Sequence, residues 1–161
     1  MQHIRPKTTE WFTYFPEDYR WSAAIGGMLG LAVVGASDMG EIDRTARKLK
    51  NKLGDDEAWF FTWQELGDEL KQKADDCRNR GHTISASVFY LRASCYYQWG
   101  ERFRTVKDDH ALNVYRKSVE CFHEHAQLSM SPKIEVVEVP YEGNFLPGYF
   151  VHAENTKKSK N

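Results

Sequence analysis

Between residues 59 and 77 apolar side chains recur every three or four positions, at Trp59, Trp63, Leu66, Leu70, Ala74 and Cys77. That rhythm lays one stripe along a helix and predicts a long amphipathic element. Asp55 and Asp56 precede it, acidic residues that suit the positive end of a helix dipole. Gly81 follows it and can adopt the left-handed conformation that stops a helix. Thr83 or Ser85 is then expected to cap a second helix, with the stripe Ile84, Val88, Leu91, Cys95 and Trp99. A third, opened near Asp108 or Asp109, carries Leu112, Tyr115, Val119, Phe122 and Ala126. Three stripes facing one another predict an antiparallel bundle.

Upstream, Ser22 to Val34 is apolar all round, as expected of a helix buried on every side. Gly26, Gly27 and Gly30 each weaken it by about 1 kcal/mol relative to alanine, and close backbone packing is the expected compensation. Asp38 and Glu41, three residues apart, match a capping box, in which the glutamate reaches back to the cap's own amide. The next helix is expected to run on through "IDRTARKLKNK" to Gly54.

After Pro132 the period becomes alternating. Ile134, Val136 and Glu138 fall on one face and Val137 and Val139 on the other, with Pro140 trimming the strand end. Glu142, Gly143 and Asn144 separate this run from a second, the signature of a hairpin. The expected fold is therefore mainly α: a helical bundle over residues 1–130, a β-hairpin over 131–152 and a polar tail over 153–161. A lone hairpin is barely stable, so this one asks for further strands.

Composition narrows the partners. With 22 Lys and Arg against 23 Asp and Glu the formal charge is -1, and no global field favours nucleic acid or anionic lipid. The basic run "RTARKLKNK" reads as a solvated helix face without the interleaved aromatics of a single-strand binder. Neither nucleic acid nor membrane is an expected partner. The cysteines Cys77, Cys95 and Cys121 are odd in number and lack close spacing, which argues against a disulfide framework and for a reducing, cytoplasmic setting. The apolar run from Ala23 to Ala36 has the length of a signal-peptide core, but its long lead-in carries Glu10, Glu17 and Asp18. It is also too short to span a bilayer.

No catalytic motif is complete. "GASDMG" is not a G-x-S-x-G elbow, because Met39 stands where the second glycine belongs, and Ser37 and Asp38 read as helix caps. In "CFHEH" only Cys121 and His125 share a helical face, with His123 pointing elsewhere. Zinc needs three or four converging ligands, so the expectation is no metal, but a buried cysteine beside solvent-facing histidines. "GGMLG" fits no phosphate-loop spacing, so no cofactor is expected. Phe89, Tyr90, Tyr96, Tyr97 and Trp99 cover more of their helix than one stripe requires, so some are expected to line a pocket or a second surface. Arg92, Glu101 and the lead-in "FPEDYRW" could supply its polar groups.

The segments "YRWS", "LGLAVVGASDMGEIDRT", "GHTISASVFYLRASCYYQWGERF" and "VEVPYEGNFLPGYF" together resemble the N-terminal region of an α/β-hydrolase subfamily. That subfamily includes 2,6-dihydroxypseudooxynicotine hydrolase and fungal hydrolases that shorten pigment polyketide chains. The resemblance implies a helical cap followed by the first hairpin of the catalytic sheet, with serine, acid and histidine all later than these segments. It carries no catalytic residue onto this chain. It implies the cap or lid portion of a serine hydrolase cleaving an ester or a carbon–carbon bond beside a ketone, present as a truncated or split product. Tyr19, Trp21, Ser37, Asp38 and Glu41 lie in the matching segments and are nominated as substrate-pocket or cap–core contacts. A small-molecule substrate is then the expected partner once a core completes the chain, and the hairpin edge could pair with a complementing chain or a second copy. The alternative is a non-enzymatic helical interaction module, since the helices around Gly81 loosely resemble one tetratricopeptide unit.

Overall fold

A computed structural model describes residues 12–153. The leading residues and all of the expected tail but Ala153 lie outside them.

Four of the five described α-helices begin on an aspartate whose side chain accepts a hydrogen bond from a free first-turn amide. Asp18 accepts from Trp21 N at 3.0 Å and opens α1, Tyr19–Gly30. Asp38 accepts from Gly40 N and Glu41 N at 2.9 and 3.1 Å and opens α2, Met39–Ala46. Asp55 opens α3, Asp56–Asn79, and Asp108 opens α5, Asp109–Leu128. Between those two lies α4, Thr83–Glu101. It starts after His82 with no side-chain cap, so neither Thr83 nor Ser85 plays the expected role. Gly81 ends α3 in the left-handed conformation, φ +78°, as its sequence position implies.

The middle helix of the bundle is α4, with α3 on one side and α5 on the other. Trp59, Trp63, Leu66, Leu70 and Ala74 of the predicted α3 stripe are buried, joined by Phe60, while Cys77 is only partly buried; full burial of a side chain such as Leu70 contributes roughly 1.5–3 kcal/mol. Backbones approach closely where glycine faces an aromatic ring. A Cβ on Gly67 would lie 2.6 Å from the Tyr97 ring, and one on Gly27 would lie 2.6 Å from Trp99. Asp68 of α3 ties all three helices together, accepting from Tyr97 Oη of α4 and Lys117 Nζ of α5, each at 2.6 Å. Burial pushes the Asp68 pKa up, but these two donors outweigh it and hold the carboxyl below its ordinary value.

Four expectations are corrected here. First, α1 is not buried on every side: Ala23 and Gly30 are exposed, and the chain continues as a 3₁₀ turn, Leu31–Val34, with Val33 and Val34 in solvent. Of its glycines, Gly26 and Gly30 have nothing within 4 Å of a built Cβ, so the close packing is confined to Gly27. Second, α2 stops at Ala46 and passes into a short 3₁₀ turn, Arg47–Leu49. Its basic residues Arg44, Arg47 and Lys48 pair with Glu69, Asp43 and Glu65. Third, the core face of α4 is Ala86, Ser87, Tyr90, Ala93, Ser94 and Tyr97, whereas Ile84 and Val88 are exposed. Fourth, α5 turns Ala111, Val114, Ser118 and Cys121 inward, and Leu112 and Tyr115 outward.

The chain ends its described course in two antiparallel strands, β1, Ile134–Tyr141, and β2, Asn144–Val151. Glu142 and Gly143 both have positive φ, 46° and 78°, which defines a two-residue turn whose twist matches the strands. Val136 pairs with Tyr149 and Val139 with Leu146, and paired residues share a face. The Tyr149 side packs on α5, its ring edge-on to Phe122 at 4.6 Å. On the opposite side Val139, Leu146 and Phe150 are each more than half exposed. The fold is mainly α, a helical bundle with a C-terminal hairpin.

Candidate functional site

The outward stripes of α4 and α5 do meet, but in an open groove rather than in the core. Leu91 and Cys95 of α4 face Val119 and Phe122 of α5, with Leu31 at one end and Tyr149 of β2 at the other, around a cavity of about 310 Å³. Ala36 completes the apolar wall, and Ser94, Gln98, Tyr115 and Ser118 supply its polar groups. Two of those groups are turned on each other: Ser118 Oγ donates to the Ser94 carbonyl at 2.9 Å and lies 3.3 Å from Ser94 Oγ. Burial pushes the Cys95 thiol up to about 12, so it stays neutral and unreactive near neutral pH. No Asp, Glu, Lys or Arg lines the groove.

A polar network holds the wall that carries Ala36. Tyr96 Oη accepts from Asp38 N at 2.9 Å and donates to Glu41 Oε2 at 3.0 Å. Arg92 Nη1 donates to Glu41 Oε1 at 3.2 Å, and Arg92 Nε to the Gly35 carbonyl at 3.4 Å. Burial pushes the Tyr96 pKa far above its ordinary value, so the hydroxyl keeps its proton and its donor role. The expected capping box is therefore half realised. Asp38 caps α2, but Tyr96 occupies the Asp38 amide, and Glu41 turns to Arg92 and Tyr96 instead.

Of the nominated residues, Ser37, Asp38 and Glu41 come together at this wall. Ser37 is 2% exposed and its Oγ donates to the Met28 carbonyl at 2.6 Å, which leaves it no role as a nucleophile. Trp21 is fully buried and donates from Nε1 to Asp56 at 3.2 Å. Tyr19 is 75% exposed, on α1. These two do not join the others. The aromatic residues of α4 do not line the groove either: Tyr90, Tyr96 and Tyr97 are in the core, and Phe89 and Trp99 pack against it. Glu101 pairs with Lys107. Gln98, Tyr115 and Tyr149 were missed by the sequence reading, although Tyr115 sits on the very stripe assigned to the core.

Cys121 is buried as expected, but His125 is not turned to solvent. Its Nδ1 lies 3.1 Å from the Ser87 carbonyl and 2.9 Å from Ser87 Oγ; a carbonyl only accepts, so Nδ1 bears the proton. Among the described residues no group of three or more His, Cys, Asp or Glu is placed to hold a metal ion, and no helix is long and apolar enough to cross a membrane. A second cavity beside Cys121 is lined by Lys71, Asp75, Arg78, Tyr90 and Glu124. Of its charges, Lys71 pairs with Asp75 and Arg78 with Glu124, and Glu120 lines it as well.

No known protein-family pattern matches the chain. Individual relatives do. Hydrolase acrC of Aspergillus aculeatus is 29% identical over 133 residues, 81% of this chain and 30% of that protein. Alpha/beta hydrolase ucsC of an Acremonium species is 26% identical over 140 residues, 81% of this chain and 28% of that protein. The solved structure of 2,6-dihydroxy-pseudo-oxynicotine hydrolase shares the fold with a TM-score of 0.56 at 21% identity, over 75% of this chain and 32% of that one. The chain thus spans about 30% of the length of the curated relatives it matches, and it is similar to a partial region of α/β-hydrolases.

Proposed function

We propose that residues 1–130 form the helical cap, or lid, of a serine α/β-hydrolase and that residues 131–152 are the first hairpin of its catalytic sheet. The reacting serine, its histidine base and the orienting acid belong to a core that residues 1–161 do not contain. The observation that carries this reading is the fold shared with one third of a solved hydrolase. The hairpin supports it physically, because both its faces are apolar and largely exposed, with Tyr149 against Phe122 as a contact to α5, and an exposed two-sided apolar hairpin is shaped for further neighbours.

In the completed enzyme an activated serine would attack an ester, or the carbonyl beside a carbon–carbon bond, with backbone amides holding the oxyanion. The cap would close over a small-molecule substrate, exclude water and select what fits. Asp38 and Tyr19 are accessible enough to meet substrate or core, whereas Trp21, Ser37 and Glu41, its carboxylate held by Arg92 and Tyr96, would position the same segment from behind. Three free cysteines suit a reducing, cytoplasmic setting.

The test is a fusion of this chain ahead of acrC lacking its own matched region, treated with a fluorophosphonate serine probe. Expected are no labelling of this chain alone and active-site labelling of the fusion, together with fast amide exchange in β1 and β2 of the free chain. Hairpin amides as protected as those of α3 in the free chain, with no labelling of the fusion, would refute the reading and favour the interaction module.

A further inference from the structure

Among the described residues that line the groove, Tyr149 alone comes from the hairpin; the rest of the wall belongs to the bundle and its leading turn. We infer that Tyr149 is a latch: the hairpin swings about residues 129–133, and seating or lifting the Tyr149 ring sets access to the groove. The swing is a property of this chain. Only its meaning, a core that opens and closes its own cap, rests on the hydrolase reading.

The latch has two contacts, both on α5. The Tyr149 ring stands edge-on to Phe122, itself part of the groove wall, at 4.6 Å. It also meets the His123 ring at 5.7 Å, and its Oη lies 3.2 Å from His123 Nε2. Burial, and to a smaller degree the neighbouring Tyr115, pushes the Tyr149 pKa up, so the hydroxyl keeps its proton. One aromatic pair and one hydrogen bond favour the seated form by about ten- to a hundredfold. The lifted form is then a minor state that thermal motion still populates.

The segment that must bend lies between the end of α5 at Leu128 and the start of β1 at Ile134, and it carries neither helix nor strand. Its Met130 is 90% exposed, and the bond from Ser129 Oγ to the Pro132 carbonyl at 3.0 Å lies within the segment. Such element-terminal residues are where hinges absorb a rotation. The ladder is rooted by the His152 amide, which donates to the Lys133 carbonyl at 2.9 Å. At about 3.3 Å per residue, Tyr149 sits about 10 Å from that root and the turn at Gly143 about 30 Å. Lifting the ring by about 3 Å therefore carries the turn through about 9 Å, so a small release at the latch is a large displacement where further strands would join.

The experiment reads groove access through Cys95, which lines the groove, with Cys121, which lines the second cavity, as internal reference. Both thiols are buried and pushed up to about 12, so the ratio of their alkylation rates by iodoacetamide, followed by peptide mass spectrometry on the full chain, reports access rather than reactivity. His123 is not part of the groove lining, so His123→Ala breaks the latch without cutting away a wall. It should raise the Cys95 rate about three- to tenfold and leave Cys121 unchanged. Tyr149→Phe, which keeps the ring, should do the same, and the double substitution should add nothing further, because both remove one bond. Cys95 rates that ignore both substitutions make Tyr149 a fixed wall and overturn the inference; rates that rise together with Cys121 show general loosening and overturn it too. Serine labelling of the acrC fusion beside an unresponsive Cys95 sinks the latch alone. A responsive Cys95 beside an unlabelled fusion sinks the hydrolase reading and leaves the latch standing.

Discussion

The backbone amide of Asp38 donates to the hydroxyl of Tyr96 at 2.9 Å, so the first turn of α2 is held by the middle of α4, 58 residues away in sequence. The same hydroxyl donates to Glu41. Tyr96→Phe keeps the ring in the core but strands a part-buried amide and releases a carboxylate. The expected loss is about 1–3 kcal/mol, the desolvation cost of a buried group left unpaired. Urea denaturation measures it. A surface pair offers the control: Lys48→Ala breaks only the exposed contact with Glu65 and should cost at most about 1 kcal/mol. Equal effects of the two substitutions would show that the Tyr96 network holds nothing.

Two glycines of similar helical setting should respond to alanine in opposite directions. At Gly67 the new methyl would meet the Tyr97 ring at 2.6 Å, and pushing α3 from α4 should destabilise by about 1–3 kcal/mol. At Gly26 nothing lies within 4 Å, and alanine should stabilise by about 0.5–1 kcal/mol through helix propensity. Thermal melts of the two single variants decide the matter; a loss at Gly26 would mean that α1 packs more tightly than described.

How much of this was legible in the sequence depended on how local the cause was. The Asp38 cap, the acidic helix starts at Asp55 or Asp56 and at Asp108 or Asp109, most of the α3 stripe, the Gly81 stop and the hairpin turn each depend on residues within one or two turns, and the chain spells them out. The faces of α4 were not legible, because a helix packed on two sides buries small residues. Ala86, Ser87, Ala93 and Ser94 make its contacts, while Ile84 and Val88, more apolar, are left outside. A pattern that weighs apolarity therefore chose the wrong face, and the stripes it chose turned out to line the groove through Leu91, Cys95, Val119 and Phe122. The partners of Asp38 and Glu41 were out of reach for another reason. Arg92 and Tyr96 were visible as a charge and an aromatic on another helix, but only the folded chain sets them against α2.

His125 gives stability a pH dependence whose sign follows from its burial. Desolvation lowers its pKa below the ordinary 6.5, against a smaller opposing effect of its hydrogen bond to Ser87. The unfolded chain then binds the proton more readily between the folded and unfolded pKa values, so stability rises with pH across that window. It is fully present above about pH 6.5 and is lost as the pH falls toward the folded-state value. His125→Gln retains a donor for the Ser87 carbonyl but cannot titrate. Denaturation midpoints between about pH 5 and 7 should slope less in this variant than in the parent; an unchanged slope would assign the titration elsewhere.

Glu142 occupies a backbone conformation for which its side chain is poorly suited. Its φ of 46° is left-handed, a region that costs an ordinary residue roughly 1–2 kcal/mol and that asparagine tolerates far better. Gly143, also at positive φ, already meets the demand of the turn, and Asn-Gly is the pair this turn type prefers. Glu142→Asn should therefore stabilise the hairpin by a few tenths to about 1 kcal/mol, slowing amide exchange at Val137 and Val139 by up to about fivefold, and leave the melting of the bundle unchanged. Gly143→Ala should do the reverse, because its left-handed position then carries a Cβ. If the hairpin serves to receive the strands of a catalytic core, a firmer turn presents a better-formed template. The Asn variant of the acrC fusion should then assemble more completely and label more fully than its parent, while the Ala variant labels less. Exchange that is faster in Glu142→Asn, or labelling that follows neither variant, would separate the turn from the assembly it is proposed to begin.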